Sequence, residues 1–220
     1  MLPRIRWYSV GMAIVLAGTV ACAVEEQTVS SLDYWPMQPG MAWLYQTAQG
    51  QQHVVRVVGQ TTLDGQAVTV IERSSAGSTK TFRKYYAVQD GAILVVAVDA
   101  PPGQPGAGPR RVSPPMLLYP ARLTQGRSWD YNPAQPGMVT MTVRGEETVT
   151  VPAGTYHAVV MVTTSTGSGT TTQWLAPQVG AVRTVVSPPD SGTAFALELV
   201  RFTVAGETAA PITQPRVIGQ

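Results

Sequence analysis

Beyond its N-terminal quarter, the chain alternates apolar and polar residues at a period of two. In the clearest run Val139, Met141 and Val143 are separated by threonines. Successive side chains of a β-strand point to opposite faces, so this alternation indicates strands with one buried and one solvent-exposed face. The runs are rich in Val, Thr and Tyr, which favour a pleated sheet. The pattern predicts an all-β, antiparallel fold.

Turn signals lie between these runs. Asp64-Gly65 and Asp90-Gly91 are dipeptides that two-residue β-hairpins favour. Pro152 and Gly154 mark a further turn before the next run. No segment of helical length in this part of the chain has helical periodicity. We therefore expect an antiparallel meander that forms either a half-barrel or a two-sheet sandwich.

The two halves of this region resemble each other. The motif Gly40-x-x-Trp43-x-Tyr45 recurs as Gly126-x-x-Trp129-x-Tyr131, and Val57-x-Gly59 recurs as Val143-x-Gly145 with the same spacing. After a short insertion, Tyr85 matches Trp174. The kept order and spacing predict an internal duplication. Two copies are too few for a solenoid, so we expect them to share one continuous sheet or to form two facing sheets.

Composition divides the chain into segments. The region between the two repeats is rich in Pro and Gly, and because proline cannot donate to a sheet ladder we expect it to form an exposed loop. The C-terminal composition predicts disorder. The predicted segments are an export signal or anchor at 1–21, a linker at 22–33, the first β repeat at 34–98, the loop at 99–118, the second β repeat at 119–204 and a disordered tail at 205–220.

The N-terminus has the parts of a bacterial export signal: two arginines within Met1–Arg6, then a run of apolar and small residues up to Val24. Thr19-Val20-Ala21-Cys22 resembles the lipobox of lipoproteins, which implies that Cys22 is the lipid-attachment residue. Ala21-Cys22-Ala23 also fits ordinary signal cleavage, and the run is near the shortest length that spans a bilayer. Lipoprotein, secreted protein and retained anchor therefore stay open, with lipoprotein favoured. In the lipid-anchored and retained forms, the β domain is attached to a membrane on the extracytoplasmic side of the bacterial envelope.

Net charge offers no case for a nucleic-acid partner, and we expect none. The chain has 15 basic and 13 acidic residues. Arg4 and Arg6 account for the excess, so the rest of the chain is neutral. Only 13% of the residues are charged, which is typical of a surface that becomes covered.

Two groups of residues resemble a family of bacterial envelope lipoproteins. Tyr34-Trp35-Pro36-Met37 with the following Pro39-Gly40 is similar to the start of many of them, and Val151–Tyr156 followed by Trp174–Gly180 is similar to a second shared pattern. Those proteins are thought to form a curved antiparallel sheet, an incomplete barrel related in shape to the lipoprotein carriers LolA and LolB. The resemblance implies that fold. The matching residues are turn and core positions, so it implies no functional residue.

The sequence contains no catalytic or metal-binding arrangement. His53 and His157 each begin a strand, and no Cys or acidic pair accompanies them at ligand spacing. Glu146 and Glu147 are adjacent on a predicted strand and point to opposite faces, which argues against a shared acid–base site. We therefore predict no catalytic residue, no metal and no cofactor, and a protein that is not an enzyme.

Aromatic residues at repeat-equivalent positions are the remaining signal. They predict either paired anchors of two half-cores or a groove for an apolar ligand or a partner's side chain. Two hypotheses follow: an accessory subunit of a larger envelope protein complex, which we favour slightly, or a lipid- or apolar-ligand-binding carrier or sensor. The candidate contact residues are Trp43, Tyr45, Tyr85, Trp129, Tyr131 and Trp174.

Overall fold

The computed structural model describes residues 28–78, 80–99, 108–189 and 192–204. Most of these residues lie in strands. Its elements are β1 Thr28–Ser30, α1 Ser31–Tyr34, β2 Ala42–Gln46, β3 Gln52–Leu63, β4 Gln66–Ser75, β5 Thr81–Gln89, β6 Ala92–Asp99, β7 Pro109–Tyr119, β8 Arg122–Thr124, β9 Ser128–Asp130, β10 Val139–Val151, β11 Gly154–Ser165, β12 Gly169–Ala176, β13 Gly180–Ser187 and β14 Phe195–Thr203.

Twelve strands form one antiparallel sheet in the order β7-β6-β5-β4-β3-β2-β14-β13-β12-β11-β10-β9, and β1 pairs with β8 separately. The sheet consists of two six-stranded meanders, β2–β7 and β9–β14, joined where β14 pairs with β2. The predicted all-β, antiparallel fold is confirmed. The Asp-Gly hairpins are confirmed as well, because Asp64, Gly65, Asp90 and Gly91 all have positive φ angles of 49° to 82°.

Register shifts fall at equivalent places in the two meanders. One lies between Val57 and Gly59 in β3, and another lies between Val143 and Gly145 in β10. A second pair of shifts follows Tyr85 in β5 and Trp174 in β12. Bulges increase the local twist and bend of a strand, so each meander bends at the same two positions. An internal duplication predicts this correspondence.

The sheet curves until its two edges meet. Edge strand β7 and the residue that follows edge strand β9 are joined by the Leu117 backbone N–H, which donates to the Tyr131 carbonyl at 2.8 Å. The Trp129 indole N–H donates to the Leu117 carbonyl at 3.2 Å. In a flat sheet of twelve strands, the two edge strands would lie about 53 Å apart, because neighbouring strands are about 4.8 Å apart. The sheet is therefore a nearly closed half-barrel, and we call the contact of Leu117 with Trp129 and Tyr131 the seam.

The main core fills the concave face, where both meanders supply fully buried side chains such as Ile93, Tyr119, Met161 and Leu175. Helix α1 lies against β6 and β13 and so connects the two meanders. Its ends are fixed by the backbone: the Ser31 N–H donates to the Ala121 carbonyl at 3.2 Å, and the Gln178 N–H donates to the Asp33 carbonyl at 2.6 Å.

A smaller apolar cluster lies apart from the main core. It consists of Val68, Val70, Tyr85, Ala87, Val96 and Ala97, with Leu63 and Leu94 packed against it. Arg111 of β7 reaches the neighbouring β3–β4 hairpin, where its Nε donates to the Asp64 carboxylate at 2.8 Å and its Nη2 donates to the Leu63 carbonyl. The chain's own side chains therefore bury both faces of β6.

The expectation of a loop over residues 99–118 is wrong for 109–118, which belong to edge strand β7. Pairing with β6 steps from Met116 opposite Val95 to Arg111 opposite Ala97, so Pro114 and Pro115 lie in a bulge of that ladder. Prolines are tolerated at sheet edges and bulges because no ladder hydrogen bond needs their missing N–H.

The predictions for residues 1–21, Cys22 and 205–220 concern residues outside the described ranges. Among the residues that the structure describes, no helix has the length and apolar character that a membrane crossing requires.

Two buried tyrosines differ in the bonding of their hydroxyl groups. The Tyr45 hydroxyl donates to the Ala181 carbonyl at 2.7 Å, whereas the Tyr119 hydroxyl is buried without a hydrogen-bond partner among the described residues. Removing a buried, unbonded hydroxyl relieves a desolvation cost, while removing a bonded one leaves the carbonyl unpaired. We predict that Tyr119→Phe raises the free energy of unfolding by about 1 kcal/mol and that Tyr45→Phe lowers it by about 1–2 kcal/mol. Urea denaturation of both variants checks the opposite signs; equal destabilisation would contradict the assignment.

Candidate functional site

A cavity of about 330 Å³ lies on the concave face. Its wall comes from strands β2 to β5 and β12 to β14, and from the segment after α1. Strands β5 and β12 are six positions apart in the sheet, about 29 Å if the sheet were flat, so the curvature creates the cavity. The lining residues are Trp35, Pro36, Trp43, Tyr45, His53, Val54, Val55, Ile71, Arg73, Ser74, Ser75, Lys80, Phe82, Gln173, Gly180, Ala181, Thr184 and Leu197.

The buried part of the wall is aromatic and aliphatic. Trp43 and Tyr45 stand on the same face of β2 and are less than a tenth exposed. The Trp43 indole N–H donates to the Val179 carbonyl at 2.6 Å, and the Tyr45 hydroxyl bonds to Ala181. Because these polar groups bond to β13 and the turn before it, the rings present mainly apolar surface to the cavity.

Trp35 forms the side of the cavity next to α1. Its ring meets the Tyr119 ring edge to face, with the centroids 5.5 Å apart. The Trp35 indole nitrogen is buried and has no hydrogen-bond partner among the described residues. Trp35 therefore adds an apolar ring to the cavity wall, while its buried N–H is left without a partner among the described residues.

The exposed rim of the cavity carries positive charge. Arg73, Lys80 and Phe82 line the cavity and are exposed, and we call these three residues the rim. Arg73 lies on β4 between Val55 of β3 and Phe82 of β5 in the sheet register. No ion pair or side-chain hydrogen bond joins Arg73 to a described residue. No described residue of the lining is Asp or Glu.

The neighbouring carboxylate lies on the other face of β4. Glu72 pairs with Arg83 at 2.9 Å and with Arg56 at 3.7 Å, and all three are adjacent in the sheet register. Residues 72 and 73 point to opposite faces of their strand. Glu72 therefore neutralises convex-face arginines and leaves the positive charge of Arg73 unpaired on the concave face.

A second cation, Lys84, lies deeper on the concave face. Its Nζ stands 5.9 Å from the centroid of the Tyr131 ring, so β5 and the seam are in contact through this pair. Burial and, to a smaller extent, the positive charge of Arg73 together lower the pKa of Lys84 to about 8. Burial also raises the pKa of Tyr86, and it raises the pKa of Tyr131 to about 12. This part of the concave face therefore favours neutral groups, and no described carboxylate balances Lys84.

The lowered pKa of Lys84 makes stability depend on pH. Between pH 8 and the ordinary lysine pKa, the unfolded chain binds a proton that the folded chain does not, so the free energy of unfolding rises with pH. We predict a Lys84 contribution of about 1–2 kcal/mol between pH 8 and about pH 9.5, below the range where tyrosines ionise. Lys84→Met should remove this rise, and its gain in free energy of unfolding over the unmodified chain should be largest at pH 7. Urea denaturation of both proteins at each pH measures the free energies of unfolding. Parallel pH profiles of the two proteins would contradict the prediction.

Histidine and serine meet at the cavity wall. Ser75 Oγ and His53 Nδ1 lie 2.9 Å apart on directly paired residues of β4 and β3. Burial lowers the pKa of His53, which favours its neutral form. No described carboxylate bonds to the other ring nitrogen, so the pair has no third group of the kind that orients a catalytic imidazole.

The second histidine lies elsewhere. His157 Nε2 is 2.8 Å from Glu146 on the next strand, and Glu147 accepts a hydrogen bond from the Trp174 indole. Within the described ranges, no three His, Cys, Asp or Glu side chains converge as a metal site would require.

The six predicted aromatic contacts do not form one groove. Trp43 and Tyr45 line the cavity, whereas Tyr131 is not part of the lining and lies against Lys84. Tyr85 belongs to the smaller apolar cluster and donates to Asp99 at 2.9 Å. The other two lie apart: Trp129 is at the seam, and Trp174 lies under the Arg183 guanidinium at 5.2 Å. Contact of any of the six with a ligand or partner stays a prediction.

Trp35, Arg73 and Lys84 were not among the site residues predicted from the sequence. For Arg73 and Lys84, the strand pattern did indicate an unusual position. Arg73 occupies the same strand face as Ile71, and Lys84 stands between the aromatic side chains of Phe82 and Tyr86 on one face of β5. A cation at a core-facing position of an alternating strand is the pattern that marks both.

Comparison with known proteins finds similarity in structure only. No family model matches the chain, and no curated protein matches it. One similar crystal structure is that of a candidate lipoprotein from Parabacteroides distasonis ATCC 8503, 15% identical, with a TM-score of 0.41, covering 77% of this chain and 98% of the other. Another is that of a candidate exported protein with a YmcC-like fold from Bacteroides fragilis NCTC 9343, 18% identical, with a TM-score of 0.42 and the same coverage.

Proposed function

We propose that this chain is a non-catalytic binding protein of the bacterial cell envelope, in which the half-barrel holds an apolar ligand. The observation that carries the proposal is the aromatic cavity. Its volume of about 330 Å³ falls at the lower end of the range for small-molecule sites. The polar groups of Trp43 and Tyr45 are bonded to backbone carbonyls, so an apolar body can fill the space without leaving these donors unpaired.

The accessory-subunit hypothesis receives less support from the geometry. It rested on the low share of charged residues, 13%, which is typical of a surface that becomes covered. Part of the apolar surface is covered within the chain itself: Val96 and Ala97 of β6 are buried by the smaller cluster and need no partner. The binding hypothesis therefore replaces the subunit as the favoured one.

The non-catalytic part of the proposal has its own support. The His53–Ser75 pair lacks an orienting carboxylate among the described residues, and its backbone lies within the paired strands β3 and β4. Strand N–H groups that are used in a ladder cannot form an oxyanion hole. Export is supported by the N-terminal sequence, and the lipid anchor at Cys22 is part of the same proposal.

Val55→Phe provides a direct test because Val55 lines the cavity from β3. We predict that the larger ring fills part of the space and weakens binding of an alkyl chain by about tenfold or more, with the fold retained. The probe is terminally brominated decanol, since bromine quenches tryptophans that it touches and two tryptophans line the cavity. The full chain is assayed in one fixed concentration of a nonionic detergent.

The matched control is Val88→Phe, the same substitution at a half-exposed position outside the cavity. It should bind the probe as the unmodified chain does. Equal quenching in the unmodified chain and in Val55→Phe would reject the proposal, as would the absence of saturable quenching by any alkyl probe.

A further inference from the structure

We infer that the ligand of this cavity is an amphiphile with one anionic headgroup, a carboxylate or a phosphate, which Arg73 binds at the rim while the alkyl part lies against Trp43 and Tyr45. The inference rests on the proposed function and adds the chemical class of the ligand. It depends on the distribution of charge around the cavity. The proposed function does not use that distribution, because an apolar ligand needs no charged partner.

The first argument is the unpaired positive charge at the rim. Arg73 and Lys80 line the cavity, and the described lining has no Asp or Glu. The nearest carboxylate along the chain, Glu72, points to the convex face and is shared by Arg56 and Arg83. An arginine beside a low-polarity cavity, with no described carboxylate to neutralise it, is positioned for an external anion.

The second argument is the arrangement behind the rim. Lys84 adds positive potential on the same face, and the tyrosines around it stay protonated because burial raises the pKa of Tyr86 and Tyr131. Among the described residues, no carboxylate pairs with either cation. A ligand anion at the rim would do so.

The third argument is geometric complementarity. The guanidinium presents two parallel N–H donors that match a carboxylate or a phosphate. The indole N–H of Trp43 and the hydroxyl of Tyr45 already donate to backbone carbonyls, so these two rings offer the alkyl part apolar surface. Donors at the exposed rim and apolar rings in the buried part are the two halves of an amphiphile site.

The experiment compares terminally brominated decanoate, decyl phosphate and decanol by tryptophan quenching in the full chain. The three probes share one chain length and differ only in headgroup. The anionic probe that binds more tightly therefore identifies the headgroup as a carboxylate or a phosphate. We expect the better of the two anionic probes to bind at least about tenfold more tightly than decanol, with a preference that falls as salt is added.

Arg73→Gln isolates the rim charge. It should reduce the anionic preference to within about twofold and leave decanol binding unchanged. The matched control is Arg56→Gln, which removes an arginine from the convex face of the neighbouring strand and should leave the preference intact. Quenching that persists when Val55→Phe blocks the cavity comes from tryptophans outside it, and it is subtracted from the signal of each probe.

The outcomes separate the two proposals. Decanol binding that Val55→Phe blocks, without anionic preference or without an effect of Arg73→Gln, overturns the anionic ligand and leaves the binding function standing. Loss of the preference in Arg56→Gln as well as in Arg73→Gln would show a general field effect and would also overturn the role of Arg73. No saturable quenching by any probe overturns both.

Discussion

The seam is the contact on which the interior depends. A twelve-stranded sheet has two edges, and here the Leu117 N–H on one edge bonds to the Tyr131 carbonyl beside the other. Without that closure, β5 and β12 would not face a common space, and Lys84 would not reach the Tyr131 ring. Curvature thus converts a surface that would be solvated in an open sheet into a low-polarity interior, which is why burial shifts the pKa of so many of its side chains.

Strand parity distributes charge between the two surfaces. In β4, adjacent residues Glu72 and Arg73 point to opposite faces, and in β5 so do Arg83 and Lys84. The convex face receives an acid with its arginine partners, and the concave face receives two cations without an acid. A register slip by one residue would exchange these sets, so the hairpin turns that fix the register also fix the sign of the cavity's potential.

Much of the fold was predictable because its causes are local. Alternation gave the strands, and the Asp-Gly turns gave the hairpins. The aromatic repeat named Trp43 and Tyr45, which line the cavity, together with Trp174, which lies elsewhere. Strand β7 was missed because edge position, which makes its prolines tolerable, is a property of the whole sheet. Arg73 was missed for a related reason: alternation shows that it shares a face with Ile71, but only closure shows that this face encloses a cavity.

The junction between β14 and β2 has a consequence for how the chain reaches this state. The first strand of the large sheet lies at its centre beside the last strand, and the Trp43 indole bonds to a carbonyl 136 residues further along the chain. Contact order is therefore high, and loop-closure entropy must be overcome before the central pairing forms. During synthesis from the N-terminus, the β14-facing edge of β2 has no partner until the final strands of the sheet are present. The cavity wall is therefore completed only after nearly the whole β region has been synthesised.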